Sequence, residues 1–122
     1  MPGYKQNIGK LGEDIAAKYL VEHGYRILER NYRKPWGEID IVGKKSGILT
    51  FFEVKTQKAG FEWRPEENVG WHKKRQLKRI ITTYLKESQM YGIEWQIDIL
   101  AIELDFQTKN TCVEHIPNIL LN

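Results

Sequence analysis

The chain has 122 residues, 41% apolar and 29% charged, and its 19 basic against 16 acidic side chains leave a net charge of +3. That is the size and balance of one ordinary folded domain rather than a disordered segment, and any contact with nucleic acid must rest on where the charges sit, not on their number. A single cysteine, Cys112, excludes an internal disulfide; no apolar run is long enough for a membrane span, and the opening MPGYKQNIGKLGEDIA has no signal-peptide core, so the expected location is the cytoplasm.

Residues 6–23 carry Ile8, Leu11, Ile15, Tyr19 and Leu20 at spacings of three and four, with Gly24 as a stop, which predicts a helix. Tyr25 to Arg33 reads as a strand of mixed alternation, ended by Pro35, Trp36 and Gly37. Glu38 to Gly43 and Leu49 to Thr56 are two strands of a hairpin turning over Lys44 to Gly47. Residues 57–70 read as a long, mobile loop. Residues 72–91 predict a second helix with Leu77, Ile80, Ile81, Tyr84 and Leu85 as its apolar stripe. Trp95 to Leu104 and Asn110 to Ile116 read as closing strands, the latter placing Cys112 as a buried or half-buried apolar residue. The sum is a single α/β domain over 1–122, a mixed sheet flanked by helices.

The chemistry concentrates in two strand segments, WGEID (Trp36 to Asp40) and FFEVK (Phe51 to Lys55). Residues two apart in a strand share a face, so Glu38 pairs with Asp40 and Glu53 with Lys55. The predicted turn sets Glu38 opposite Glu53, with Asp40 as its diagonal neighbour. Charged alternation is common on solvated strands. Here, however, Ile39, Ile41, Phe51, Phe52 and Val54 mark central strands, where charges on one face are rare. Two carboxylates about 4 Å apart repel by roughly 4 kcal/mol at an effective dielectric near 20. A shared proton or a bound cation relieves that repulsion, and carboxylate oxygens suit Mg²⁺ or Mn²⁺. Such an ion polarises a phosphodiester and activates water, while Lys55 orients the water or stabilises the developing charge.

Five elements in order resemble the PD-(D/E)xK nuclease superfamily: G-x-x-G-E at Gly9 to Glu13, a strand with Asn31, G-E-I-D ending at Asp40, E-V-K-T at Glu53 to Thr56, and Tyr84-Leu85 followed by Asp98. Within it the chain is similar to archaeal Holliday-junction resolvases and, more closely, to the YraN-type family of uncharacterised bacterial proteins, from Ile8 to about Ile102. The resemblance implies a restriction-endonuclease-like fold. It implies Asp40, Glu53 and Glu13 as metal ligands, Lys55 as the catalytic lysine, and Glu38 as a supporting or structural group. Glu13 reads alternatively as a solvent-facing helix residue. Gly9 and Gly12 each cost about 1 kcal/mol against alanine within a helix, which a close approach to the sheet would justify. Gln57 stands where the family commonly has arginine, keeping a hydrogen-bonding group without its charge.

His72, Lys73, Lys74, Arg75, Lys78 and Arg79 crowd the start of the second helix, mostly off its apolar stripe. Cations sit poorly at a helix N-terminus, which favours an anionic partner, so Lys73, Lys74, Arg75, Lys78 and Arg79 are the expected DNA contacts. Phe61, Trp63 and Trp71 read as packing, with base stacking or a dimer contact as alternatives. His23 and His115 are isolated, and no nucleotide-binding or zinc motif is present. The resulting expectation is a divalent-metal-dependent DNA endonuclease acting on branched or damaged DNA. A homodimer is expected if both strands of a junction are cut. Its rivals are a nucleic-acid-binding or protein-interaction module that keeps the fold without turnover.

Overall fold

In the computed structural model the described residues are 2–60 and 71–119, with side chains described for 7–60 and 73–119. Helix α1 spans Pro2–Glu22, β1 Arg26–Lys34, β2 Gly37–Lys45, β3 Ile48–Lys58, α2 Trp71–Glu87, β4 Trp95–Asp105 and β5 Asn110–Ile116. The five strands lie side by side in chain order. The first three form an antiparallel meander, β4 runs parallel to β3, and β5 returns antiparallel. Among the described residues, no helix is long and apolar enough to cross a membrane. This α/β sheet with two flanking helices is compatible with the restriction-endonuclease-like fold.

Each helix buries one side of the sheet. Ala16 and Leu20 of α1 pack with Ile41, Phe52, Leu100 and Ile102. On the opposite face the stripe Leu77, Ile80, Ile81 and Tyr84 of α2 packs with Ile39, Val42, Phe51 and Ile99. The stripe of α2 is the one its spacing predicts. That of α1 is narrower than expected, since Leu11 is 43% exposed while Ala16 is fully buried. Small residues let α1 lie close to the sheet. A Cβ on Gly12 would stand 1.9 Å from Oγ1 of Thr56 on β3, so only glycine fits there.

Several boundaries differ from expectation for local reasons. The β2–β3 turn is two residues, Ser46 and Gly47, with φ of 52° and 78°. That is the hairpin turn whose twist matches its strands, and it lets Lys44 and Lys45 join the ladder. β3 continues through Gln57 and Lys58, which pair with Glu103 and Leu104 of β4, so the predicted loop begins later. Its residues 61–70, with Phe61 and Trp63, lie outside the described residues, as do the side chains of Trp71 and His72. α2 stops at Glu87, and Gln89 follows with φ 53°. Cys112 is exposed, contrary to expectation, because it sits on the edge strand β5, which neither helix covers substantially.

Candidate active site

The middle of β1 and β2 breaks the strand rule in one place. Arg30 lies opposite Ile41, and Tyr32 opposite Ile39. Ile41 packs under α1, whereas Ile39 and Tyr32 pack under α2. Residues two apart should share a face, so both strands switch sides between these pairs. The residues at the switch are Asn31, in the left-handed region at φ 53°, and Asp40. Asparagine tolerates that conformation better than most side chains. The switch frees Asp40 from the face shared with Glu38.

The β2–β3 ladder ends at Ile41 and Phe52. Beyond it the strands diverge, and Oδ2 of Asp40 accepts a hydrogen bond from the backbone N–H of Val54 at 2.8 Å. The register therefore differs by two residues from the predicted one, as the shorter turn requires. Glu38 does not face Glu53; it lies opposite Arg33 of β1 and pairs with it at 2.9 Å. Its exposed position makes it a peripheral charge, felt by Asp40 only weakly.

Asp40, half-buried, is pushed up to about 7 from an ordinary 3.8. Burial is the main cause, followed by the negative charge of Glu53 and then those of Glu13 and Glu38, while the Val54 N–H pulls the other way. Glu53 is 6% exposed. Its Oε1 attracts two ammonium groups, Lys55 at 3.4 Å and Lys73 from the first turn of α2 at 3.3 Å. Glu13 reaches the cluster from α1. With its amide turned nitrogen-inward, Asn31 donates to both Glu13 oxygens at 3.2 Å.

Asp40, Glu53, Lys55 and Glu13 are thus assembled from three elements at the end of the sheet where β2 and β3 part. Among the described residues, no group of three metal-binding side chains stands close enough to enclose an ion. The arrangement is a carboxylate pair, Asp40 and Glu53, with Glu13 held back by Asn31. Mg²⁺ commonly takes one or two carboxylates and keeps several waters, and the frustrated Asp40–Glu53 pair has that chemistry. The donor set therefore fits a hard divalent cation.

The expected DNA-binding residues separate. Lys73, one of the five, turns inward onto Glu53. Arg79 lays its guanidinium over the Trp36 ring at 4.8 Å. Arg75 and Lys78 are exposed with Lys86 along the outer side of α2, and Lys74 is half-buried. Gln57 is half-buried beside Thr56 in a groove next to Glu13. Two contacts escaped the sequence reading, that of Lys73 with Glu53 and that of Asn31 with Glu13. A signal existed for each. A helix that crosses from β3 to a parallel β4 starts near the C-terminal end of β3, where Glu53 and Lys55 lie. The mixed alternation around Asn31 marks the change of face.

Fold and site together describe an α/β domain with an acidic pair and lysines at a strand divergence. The family model of the uncharacterised protein family UPF0102 matches residues 12–102. The chain belongs to that family, the YraN-type family its motifs resemble. UPF0102 proteins of Dictyoglomus turgidum and Trichlorobacter lovleyi are each 39% identical to it. Both alignments cover 93% of this chain, with 96% and 89% of the respective relatives. That of Moorella thermoacetica is 41% identical over 87% of this chain and 88% of the relative.

Proposed function

We propose that the protein is a divalent-metal-dependent DNA endonuclease, with Asp40 and Glu53 as the metal-binding carboxylates and Mg²⁺ or Mn²⁺ as the ion. One observation carries this reading: among the described residues Asp40 is a half-buried carboxylate with a single donor, pushed up to about 7 by burial and by three neighbouring acids. A fold tolerates that arrangement at a stability cost, and a cation removes the cost. When bound, the ion supplies Lewis-acid polarisation of a phosphodiester and a more acidic water.

The side chains divide the remaining work. Asp40 and Glu53 orient the site and hold its negative charge in the desolvated end of the sheet. Glu13, fixed by Asn31, accepts hydrogen bonds from water at the edge of the pair. Lys55, only 23% exposed, is placed to hold an attacking water or offset charge on the transferring phosphoryl group. Lys73 holds Glu53 from the other side and is free to turn to a phosphate once a cation replaces it. The basic side chains of α2 supply phosphate contacts farther along the strand.

Gln57 favours a second reading, binding without turnover, because it removes a positive charge beside the site. Cleavage assays with single-stranded, duplex, flap and four-way DNA in Mg²⁺ or Mn²⁺ separate the two. The endonuclease reading expects cleavage of at least one substrate that is lost in Asp40→Ala and in Lys55→Ala. Salt-sensitive binding of all four without any cleavage supports the second reading. Sedimentation of the protein with and without a four-way junction tests whether paired cuts come from a homodimer.

A further inference from the structure

Two glycines one turn apart on α1 have opposite surroundings. Gly12 is forced by Thr56. A Cβ on Gly9 would meet nothing within 4 Å among the described residues. Gly9 lies well inside a helix that runs from Pro2 to Glu22, where glycine weakens the helix relative to alanine. Nothing in the described fold offsets that weakness.

Gly9 does lie at a meeting point. It lines a groove of about 800 Å³ with Lys10, Glu13, Arg30, Asn31 and Arg33. It also lines a groove of about 400 Å³ with Glu13, Thr56, Gln57 and Lys58. Glu13 stands four residues on, on the same side of the helix, and belongs to both grooves. Gly9 is therefore the low saddle of a continuous trough past the acidic cluster. Three cations, Lys10, Arg30 and Arg33, rim the larger part against two carboxylates, Glu13 and Asp14. Arg30 pairs with Asp14 at 2.7 Å and Arg33 with Glu38 at 2.9 Å. Both pairs are solvent-exposed, so they exchange readily for phosphate.

We infer that this trough seats the sugar–phosphate backbone of the DNA strand adjoining the scissile bond, with Gly9 giving the backbone its close approach and Lys10, Arg30 and Arg33 contacting phosphates. A glycine whose Cβ position meets no neighbour among the described residues suits the close approach of a ligand. The inference rests on the nuclease reading of the Asp40 site and extends it to a second binding surface, on the opposite face of the sheet from α2.

The test compares Gly9→Leu and Lys10→Gln with the wild-type chain. Melting temperature is measured by thermal unfolding. Binding of a labelled DNA duplex with single-stranded tails is measured by fluorescence anisotropy in Ca²⁺ over a series of salt concentrations, and its cleavage is measured in Mn²⁺. Gly9→Leu is expected to keep or raise the melting temperature while weakening binding about tenfold or more and lowering cleavage accordingly. Lys10→Gln is expected to weaken binding and to reduce the slope of log affinity against log salt by about one. A Gly9→Leu protein that melts higher yet binds and cuts normally overturns the trough. One that melts lower also overturns it, because the glycine then serves packing. If the wild-type chain neither binds nor cuts DNA, the nuclease reading itself fails, which is a different result from normal wild-type activity with indifferent variants.

Discussion

Asp98 and Asp40 are both aspartates inside the sheet, and their surroundings are opposites. Asp98 is fully buried on β4. It accepts hydrogen bonds from Gln96 Nε2 at 2.8 Å and the Asn118 backbone N–H at 2.9 Å, and His115 Nε2 stands 2.6 Å from its other oxygen. Both of its oxygens hold partners, and His115 and Asn118 tie β5 and the segment after it to the sheet. Asp40 has one backbone donor and faces Glu53 and Glu13. The first aspartate is satisfied by the fold. The second has, among the described residues, one donor set against like charges. Depth of burial thus separates the two roles less well than the balance of donors against like charges.

The largest difference should appear in stability. Asp98→Ala strands buried donors and is expected to cost about 3–5 kcal/mol in denaturant unfolding. A loss below about 1 kcal/mol would remove the contrast. Asp40→Asn should behave in the opposite way in metal-free buffer. The folded state holds the Asp40 proton up to about pH 7, against 3.8 ordinarily. Its contribution to stability is therefore fully present below about pH 4 and is lost as pH rises through 7. Wild-type stability should fall across that window by an amount on the order of a few kcal/mol, and Asp40→Asn should flatten the fall. Added Mg²⁺ should restore the wild-type stability at high pH and leave Asp40→Asn unchanged.

A smaller effect comes from the helix that carries Glu13. Gly12→Ala places a methyl against Thr56 and is expected to cost about 1–3 kcal/mol despite better helix propensity. A stabilised Gly12→Ala would mean that α1 is free to shift and that Glu13 is not firmly placed. The smallest effect concerns Lys73. Removing its ammonium in Lys73→Met leaves Glu53 with one cation, so calorimetric Mg²⁺ affinity should rise several-fold while cleavage falls. Unchanged affinity would make Lys73 an ordinary surface lysine.

Much of this was legible in the residues. Apolar spacing located all seven elements, and short motifs selected Asp40, Glu53, Lys55 and Glu13, which the fold brings to one end of the sheet. The register was not legible, because a Ser46–Gly47 turn and a four-residue turn read alike while shifting Glu38 by two positions. The change of face at Asn31 and Asp40 showed only as the mixed alternation of β1, since alternation assumes a regular pleat and one left-handed residue defeats it. Lys73 looked like its basic neighbours on α2 because its partner, Glu53, is remote in sequence and close only after the crossover. Gly9 and Gly12 looked equivalent until Thr56 distinguished them.

The central claim is that the strain at Asp40 exists to be relieved by a cation. Calorimetric titration of Mn²⁺ into the protein from about pH 5 to about pH 9 tests it directly. Proton and metal compete for Asp40, so affinity should rise about tenfold per pH unit up to about pH 7 and then level off, and Asp40→Asn should bind weakly with no such dependence. Mn²⁺ affinity that ignores pH, or that survives Asp40→Asn unchanged, would contradict the account.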